Sequence, residues 1–267
     1  MLYHAENYSL APEYDQYGMV IESTLGREDP WHVRVAVARA IEASAPSFRA
    51  ADVVPFFVFA LQPGTALSDR HEAVRHAMLE ASSAVIDARG DDVLSELLSQ
   101  LEASLESEHD AVTEAAVVLL GRAARYLPAD SAHVRRVVER LLSALRTPSE
   151  LVQEAVASCL PALVRASAAA KDVPSIVDRL FVDLLHGDKY ATRRGAAYGL
   201  AGVVKGRGVS AIRELRILAR LSEAAHDTST TTTRQGALFA YELLASTLHV
   251  LLEPYVDGIL ADLLLCL

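Results

Sequence analysis

Between Asp188 and Arg220 the sequence sets eight bases, Lys189, Arg193, Arg194, Lys205, Arg207, Arg213, Arg216 and Arg220, against two acids, Asp188 and Glu214. Cations at this density are the raw material of phosphate contacts. Arg213, Arg216 and Arg220 are spaced three and four apart, which places them on one face of a helix running through all three. Lys205 and Arg207 fall within Gly202–Gly208, read here as the turn joining two helices, with Gly206 or Gly208 in the left-handed conformation after the last turn. The candidate contacts for an RNA-bearing partner are therefore Lys189, Arg194, Lys205, Arg207, Arg213, Arg216 and Arg220. No aromatic residue interleaves usefully with them, so base stacking is not expected. A solvated arginine row that serves solubility gives the same pattern, and the residues alone leave both readings open.

Little else in the chain could run a reaction. There is no G-x-x-x-x-G-K-[ST] phosphate loop, no H-E-x-x-H, no C-x-x-C and no G-x-S-x-G. His71 and His76 are five apart, off the four-residue step at which two histidines share a metal on one helix face. No metal, cofactor or small-molecule substrate is expected, and an enzyme is not the expected reading. Cys159 and Cys266, 107 residues apart, both sit in apolar helical patterns, the setting of buried free thiols.

These residues need elements to hold them, and composition says which kind. The 267 residues are 51% hydrophobic with 13 glycines and 10 prolines, enough apolar material for an extended core without disulfides. The net charge of −10 is uneven: residues 1–110 carry 19 acids against 7 Lys and Arg, residues 111–267 carry 16 against 18. No basic-flanked apolar leader and no window of roughly 18 unbroken apolar residues stands out, so a cytoplasmic chain with no membrane segment is expected.

A repeat supplies the frame. An apolar residue or Thr, a polar residue, and two positions later a small one recur as Val33-Arg34-Val35-Ala36, Val74-Arg75-His76-Ala77, Val112-Thr113-Glu114-Ala115, Val152-Gln153-Glu154-Ala155, Thr192-Arg193-Arg194-Gly195 and Thr233-Arg234-Gln235-Gly236. Their polar residues step by 41, 38, 40, 40 and 41. That period, with two amphipathic helices in each, is the signature of HEAT repeats. The expected architecture is all-α: a right-handed superhelical solenoid of about six helix pairs. An arm or the remnant of a preceding repeat occupies residues 1–28, and the repeats fall near 29–67, 68–107, 108–146, 147–187, 188–227 and 228–267. In the fourth, Pro148 to Ser167 reads as the first helix, bent at Pro161, and Val173 to Leu185 as the second. Acids five to seven residues before the repeat arginines, Asp29/Arg34, Asp69/Arg75, Asp188/Arg193 and Asp227/Arg234, predict a structural ladder between neighbouring repeats. Leu263–Leu267 ends the chain without a polar cap, which predicts a segment of a longer solenoid.

Lys189-Tyr190-Ala191-Thr192-Arg193-Arg194-Gly195-Ala196-Ala197-Tyr198-Gly199-Leu200-Ala201-Gly202-Val203-Val204-Lys205-Gly206 resembles the signature repeat of the large HEAT-repeat translational activators of the general amino-acid control pathway. Leu67–His71 with Val74-Arg75, Thr147–Ser149 with Val152–Pro161, and Gly236–Glu242 with Glu253–Val256 and Leu263–Cys266 resemble the same family, as does Gly18–Glu22 with Asp29–Trp31. The resemblance covers the chain from about residue 13 onward. It corresponds to the family's central region, which is similar to the HEAT part of elongation factor three. It implies a non-catalytic scaffold on ribosomes that relays starvation or collision stress to the kinase of initiation factor two alpha, alongside an ABC-type partner protein. The family's segment for the kinase's N-terminal domain lies further along, so no residue here is assigned to kinase binding. The run Thr230–Thr233 stands where a more basic stretch is expected. A HEAT adaptor of another class, such as a nuclear transport receptor or phosphatase scaffold, would share the fold and grip protein partners instead.

Overall fold

The computed structural model describes residues 29–128, 132–165 and 171–265, with positions 16, 17 and 19 before them. Most of the expected N-terminal arm and Cys266 lie outside the described residues. No strand occurs among the described residues. Two compact units divide the chain, residues 1–93 and 94–267.

In the first unit α1 (Trp31–Ser44) and α2 (Ala50–Ala60) pack on α3 (Glu72–Arg89). Helix α3 shows why such segments are helical. Glu72 lies in its first turn and Arg89 in its last, each charge opposite to its end of the macrodipole. The His71 ring accepts from the Ala73 N–H at 3.3 Å, covering one of the four amides a helix start leaves bare. Val74, Ala77, Met78, Ala81 and Val85 recur at steps of three and four and are buried.

The second unit holds α4 (Leu94–Ser104), α5 (Asp110–Ala123), α6 (Ala132–Ala144), α7 (Glu150–Arg165), α8 (Val173–His186) and α9 (Tyr190–Arg207). The helices α10 (Ser210–Glu214), α11 (Ile217–Ala225), α12 (Thr231–Leu248) and α13 (Val256–Leu265) follow. Helices α5, α7, α9 and α12 pack in sequence along one layer, each against the next. Helices α6, α8 and α11 back them, touching α7, α9 and α12 respectively. This is an all-α HEAT-repeat chain. Helix α7 starts two residues later than the apolar pattern predicts, its expected end at Ser167 lies outside the described residues, and α8 runs one residue further, to His186. Pro161 sits inside α7, so the Ala157 carbonyl four residues back has no N–H to accept there.

Four glycines let α9 approach its neighbours. A Cβ on Gly195 would lie 1.8 Å from the Leu145 carbonyl oxygen, and one on Gly199 2.6 Å from Leu145 Cδ1. On Gly202 it would meet the same Ala157 carbonyl oxygen at 2.8 Å, and on Gly206 the Val164 Cγ2 at 2.4 Å and Pro161 Cα at 2.8 Å. At steps of four, three and four these glycines form one stripe, and their poor helix propensity is overridden by backbone-to-helix contact. Gly236 repeats the feature one period on, with the Leu184 carbonyl oxygen 2.1 Å from its would-be Cβ.

The stretch Thr231–Leu264 is long enough, at a mean hydropathy of 1.2, to cross a membrane by length and composition. Its backbone is not one helix: His249 takes φ 47° and ψ −124°, and a 3₁₀ segment, His249–Tyr255, holds Pro254. Ala237, Ala240, Tyr241 and Leu244 of α12 are buried in the repeat core.

Candidate functional site

The residue at the polar position has one recurrent task in four of the six repeats. Its side chain donates to the carbonyl six residues upstream: Arg75 to Asp69 at 2.9 Å, Thr113 to Ser107 at 3.3 Å, Gln153 to Thr147 at 2.7 Å and Arg193 to Gly187 at 2.7 Å. Those carbonyls lie in turns that precede a helix, where no ladder satisfies them. Three of the positions also reach into the next repeat. Arg34 binds Asp69, Gln153 donates to the Ala191 carbonyl at 2.9 Å, and Arg193 donates to Gln235 Oε1 at 2.6 Å.

The ladder therefore differs in kind from a run of Asp–Arg pairs. At Arg34 it is ionic: Nη1 meets Asp29 at 2.6 Å and Nε meets Asp69 at 2.7 Å, with Arg34 and Asp69 3% and 5% exposed. The Arg34 guanidinium holds the Asp29 carboxyl well below the usual carboxylate range. Arg75 and Arg193 donate to backbone carbonyls instead, and the Asp69 carboxylate is already bound by Arg34. Asp227 folds back on Ser229, taking its N–H at 2.8 Å and its hydroxyl at 2.6 Å, and this hydrogen bonding lowers its pKa. Arg234 sits 7 residues further on with its Nε buried and without a hydrogen bond.

The basic cluster of α9 to α11 is partly consumed by the same packing. Arg194 donates to Gln153 Oε1 at 2.9 Å, to Glu150 at 3.1 Å and to the Pro148 carbonyl at 3.0 Å, all in the preceding repeat. Arg220 binds Asp178 at 2.8 Å, and its guanidinium carbon lies 3.7 Å from the Phe181 ring centre. Arg216 lies 3.9 Å from Glu223. Lys189, Lys205, Arg207 and Arg213 are exposed and make no ion pair among the described residues.

Two local expectations are corrected here. Lys205 and Arg207 are in the last turn of α9, not on a turn, because Gly206 continues the helix against Pro161 and Val164. Gly208, at φ 90°, is the residue that ends it. Arg213, Arg216 and Arg220 do not share a helix: Arg216 takes the left-handed conformation (φ 52°, ψ 34°) between α10 and α11. Ile212 and Ile217 are both buried, and five residues on one helix would point them about 140° apart, so the break is what brings both inward. The Tyr190 and Phe239 rings meet edge to face at 5.1 Å, with Arg194 5.5 Å from Tyr190.

A second row went unread in the sequence. Arg140 reaches Glu106 at 2.9 Å, Arg179 reaches Glu139 at 2.6 Å and Arg220 reaches Asp178, each from one backing helix to the repeat before it. The signal was the step of 39 and 41 between these arginines. Such half-exposed pairs contribute about 0–1 kcal/mol each, so they set register more than stability.

The remaining candidates are accounted for by packing. His71 stacks on Trp31 at 4.3 Å, His76 faces Glu80 at 3.4 Å, and no metal-holding cluster occurs among the described residues. Cys159 points its thiol at the Val117 carbonyl, and burial pushes that thiol up to about 11. It stays protonated near neutrality, so iodoacetamide should label Cys159 in the native chain far more slowly than in urea, where a thiol titrates near about 8.5. Peptide mass spectrometry at matched times reads the ratio; equal rates would mean the site is open.

The polar residues of the repeat position mostly serve the repeats themselves, and the sequence is similar to that of known proteins. Residues 1–125 match the family "Stalled ribosome sensor GCN1, HEAT repeats", and residues 193–267 match "EF3 N-terminal HEAT repeat". The human "Stalled ribosome sensor GCN1" is 39% identical over 99% of the chain, and Protein ILITYHIA of Arabidopsis thaliana 38% over 88%. The "eIF-2-alpha kinase activator GCN1" of Saccharomyces cerevisiae is 36% identical over 96% of the chain. The chain spans about a tenth of the length of these relatives, which are covered to 10%, 9% and 10%. By this agreement along nearly its whole length, the chain belongs to the GCN1 family of HEAT-repeat proteins.

Proposed function

We propose that this chain is a non-catalytic scaffold segment through which a GCN1-type protein docks on ribosomes in the cytoplasm, as part of activating the kinase of initiation factor two alpha in the starvation response. The kinase and an ABC-type partner protein are reached through other parts of such a protein. The observation that carries this reading is the 39% identity over 99% of the chain to a relative named as a stalled ribosome sensor. The structure is compatible with it in one respect: the polar residues of the repeat position serve the fold, which leaves the exposed cations for contact with a partner. The rival, a HEAT adaptor that grips only proteins, predicts no ribosome association.

Co-sedimentation decides between them. The 267-residue chain, centrifuged through a sucrose cushion with purified ribosomes, is expected in the pellet at low salt and in the supernatant as salt rises. A chain that stays in the supernatant with ribosomes at every salt concentration would remove the ribosome from the account.

A further inference from the structure

Within the second unit the fold sorts charge onto two edges that the sequence order conceals. The turns that lead from one repeat into the next hold Glu106, Glu108, Asp110, Glu150, Asp188 and Asp227, against Arg146 and Lys189. Arg146 is already bound to Asp183 at 3.0 Å. Three of the corners inside the helix pairs, after α5, α7 and α9, are the opposite. Arg125 follows α5, Arg165 ends α7, Lys171 precedes α8, Lys205 and Arg207 end α9, and Arg213 lies on α10. All six are exposed.

Three consecutive corners thus carry cations, and contacts tie them together. The Arg165 Nε donates to the Gly206 carbonyl at 3.1 Å, which sets Arg165 beside Lys205 and Arg207. Gly121, four residues before Arg125, packs on Cys159 of α7. Neighbouring helices lie about 8–10 Å apart, so the cations form a row at that step. Of the acids on these corners among the described residues, Asp172 is occupied by Arg135 at 2.8 Å, and Glu214 alone makes no ion pair. Lys189 belongs to the other edge, about 27 Å away along the 18 residues of α9.

We infer that this corner row is a docking edge for the phosphate backbone of structured RNA. The inference rests on the ribosome reading only in taking ribosomal RNA as the RNA such a chain meets. Four of the six cations are arginines, whose planar fork suits two phosphate oxygens at once. No large apolar side chain is exposed on these corners among the described residues, which disfavours both an inserted membrane anchor and a protein hot spot. The row excludes Arg194 and Arg220, whose guanidinium groups are ion-paired with acids of the preceding repeat, and adds Arg125, Arg165 and Lys171, which lie outside the sequence cluster.

The test uses the 267-residue chain and a fluorescein-labelled RNA hairpin, read by anisotropy across a salt series. The edge variant is Lys171→Glu/Lys205→Glu/Arg207→Glu, and a Gln version guards against misfolding. Arg140→Glu/Arg146→Glu/Arg179→Glu makes the same change in net charge away from these corners. The wild type is expected to bind with an affinity that falls steeply with salt, and the edge variants to lose about tenfold or more and flatten that slope. The distant variant should stay within about twofold. Equal losses in both Glu variants, no hairpin binding by the wild type, or stronger binding to vesicles of phosphatidylserine than to the hairpin would each overturn the proposal. Ribosome pelleting that survives in the edge variant would overturn it too while leaving the proposed function standing.

Discussion

Arg34→Met is expected to destabilise the first unit by about 3–5 kcal/mol, because it leaves the buried Asp69 carboxylate without its cation and Asp29 with Arg70 alone. Methionine keeps most of the apolar stem, so lost packing adds little. The readout is intrinsic: the single tryptophan, Trp31, lies three residues away and stacks on His71, so its fluorescence follows this unit in urea. The pH dependence carries a sign. Asp29 is depressed in the folded state by Arg34, so its stabilising contribution is fully present above the unfolded pKa of about 3.9 and is lost as pH falls. The gap between wild type and Arg34→Met should therefore narrow as acid is added below about pH 4. A gap that is constant with pH would mean that the variant acts through packing, not through the ion cluster.

Gly195→Ala should also destabilise, by about 1–3 kcal/mol, against the usual direction of the substitution. In an unconstrained helix the change gains about 1 kcal/mol. Here the new methyl would stand 1.8 Å from the Leu145 carbonyl oxygen and 2.9 Å from Gln153 Nε2, the amide that joins three carbonyls across three repeats. Gly258 supplies the contrast, since nothing lies within 4 Å of its would-be Cβ. Gly258→Ala is expected to leave the melting temperature unchanged or raise it. If both variants melted alike by circular dichroism, the close approach of α9 to the end of α6 would be wrong.

The fold class was legible because the repeat has two strong signatures, a helical apolar period within each element and a 40-residue step between them. The site was less so, for reasons tied to particular residues. Gln153 fills an arginine's position, and nothing in its type says that it will bridge three carbonyls. Arg194 and Arg220 look in sequence like free cations, yet their partners are 41 and 42 residues upstream, at Gln153 and Asp178. The left-handed Arg216 breaks a spacing that would otherwise make one helical face, and that break follows from burying both Ile212 and Ile217. Lys205 and Arg207 flank Gly206, which reads as a helix stop until α7 is seen packed against it. Tyr190 and Phe239 meet across 49 positions, too far apart for local pattern to pair them.

The central claim is that the seams between repeats carry the fold while the cationic corners carry the contact. Hydrogen exchange on the chain, free and bound to purified ribosomes, tests it most directly. Binding is expected to slow exchange in the corners near residues 163–173 and 203–213 and to leave the seam at 145–153 as slow as in the free chain. Protection confined to residues 29–93, or none at the corners of a chain that pellets with ribosomes, would contradict it.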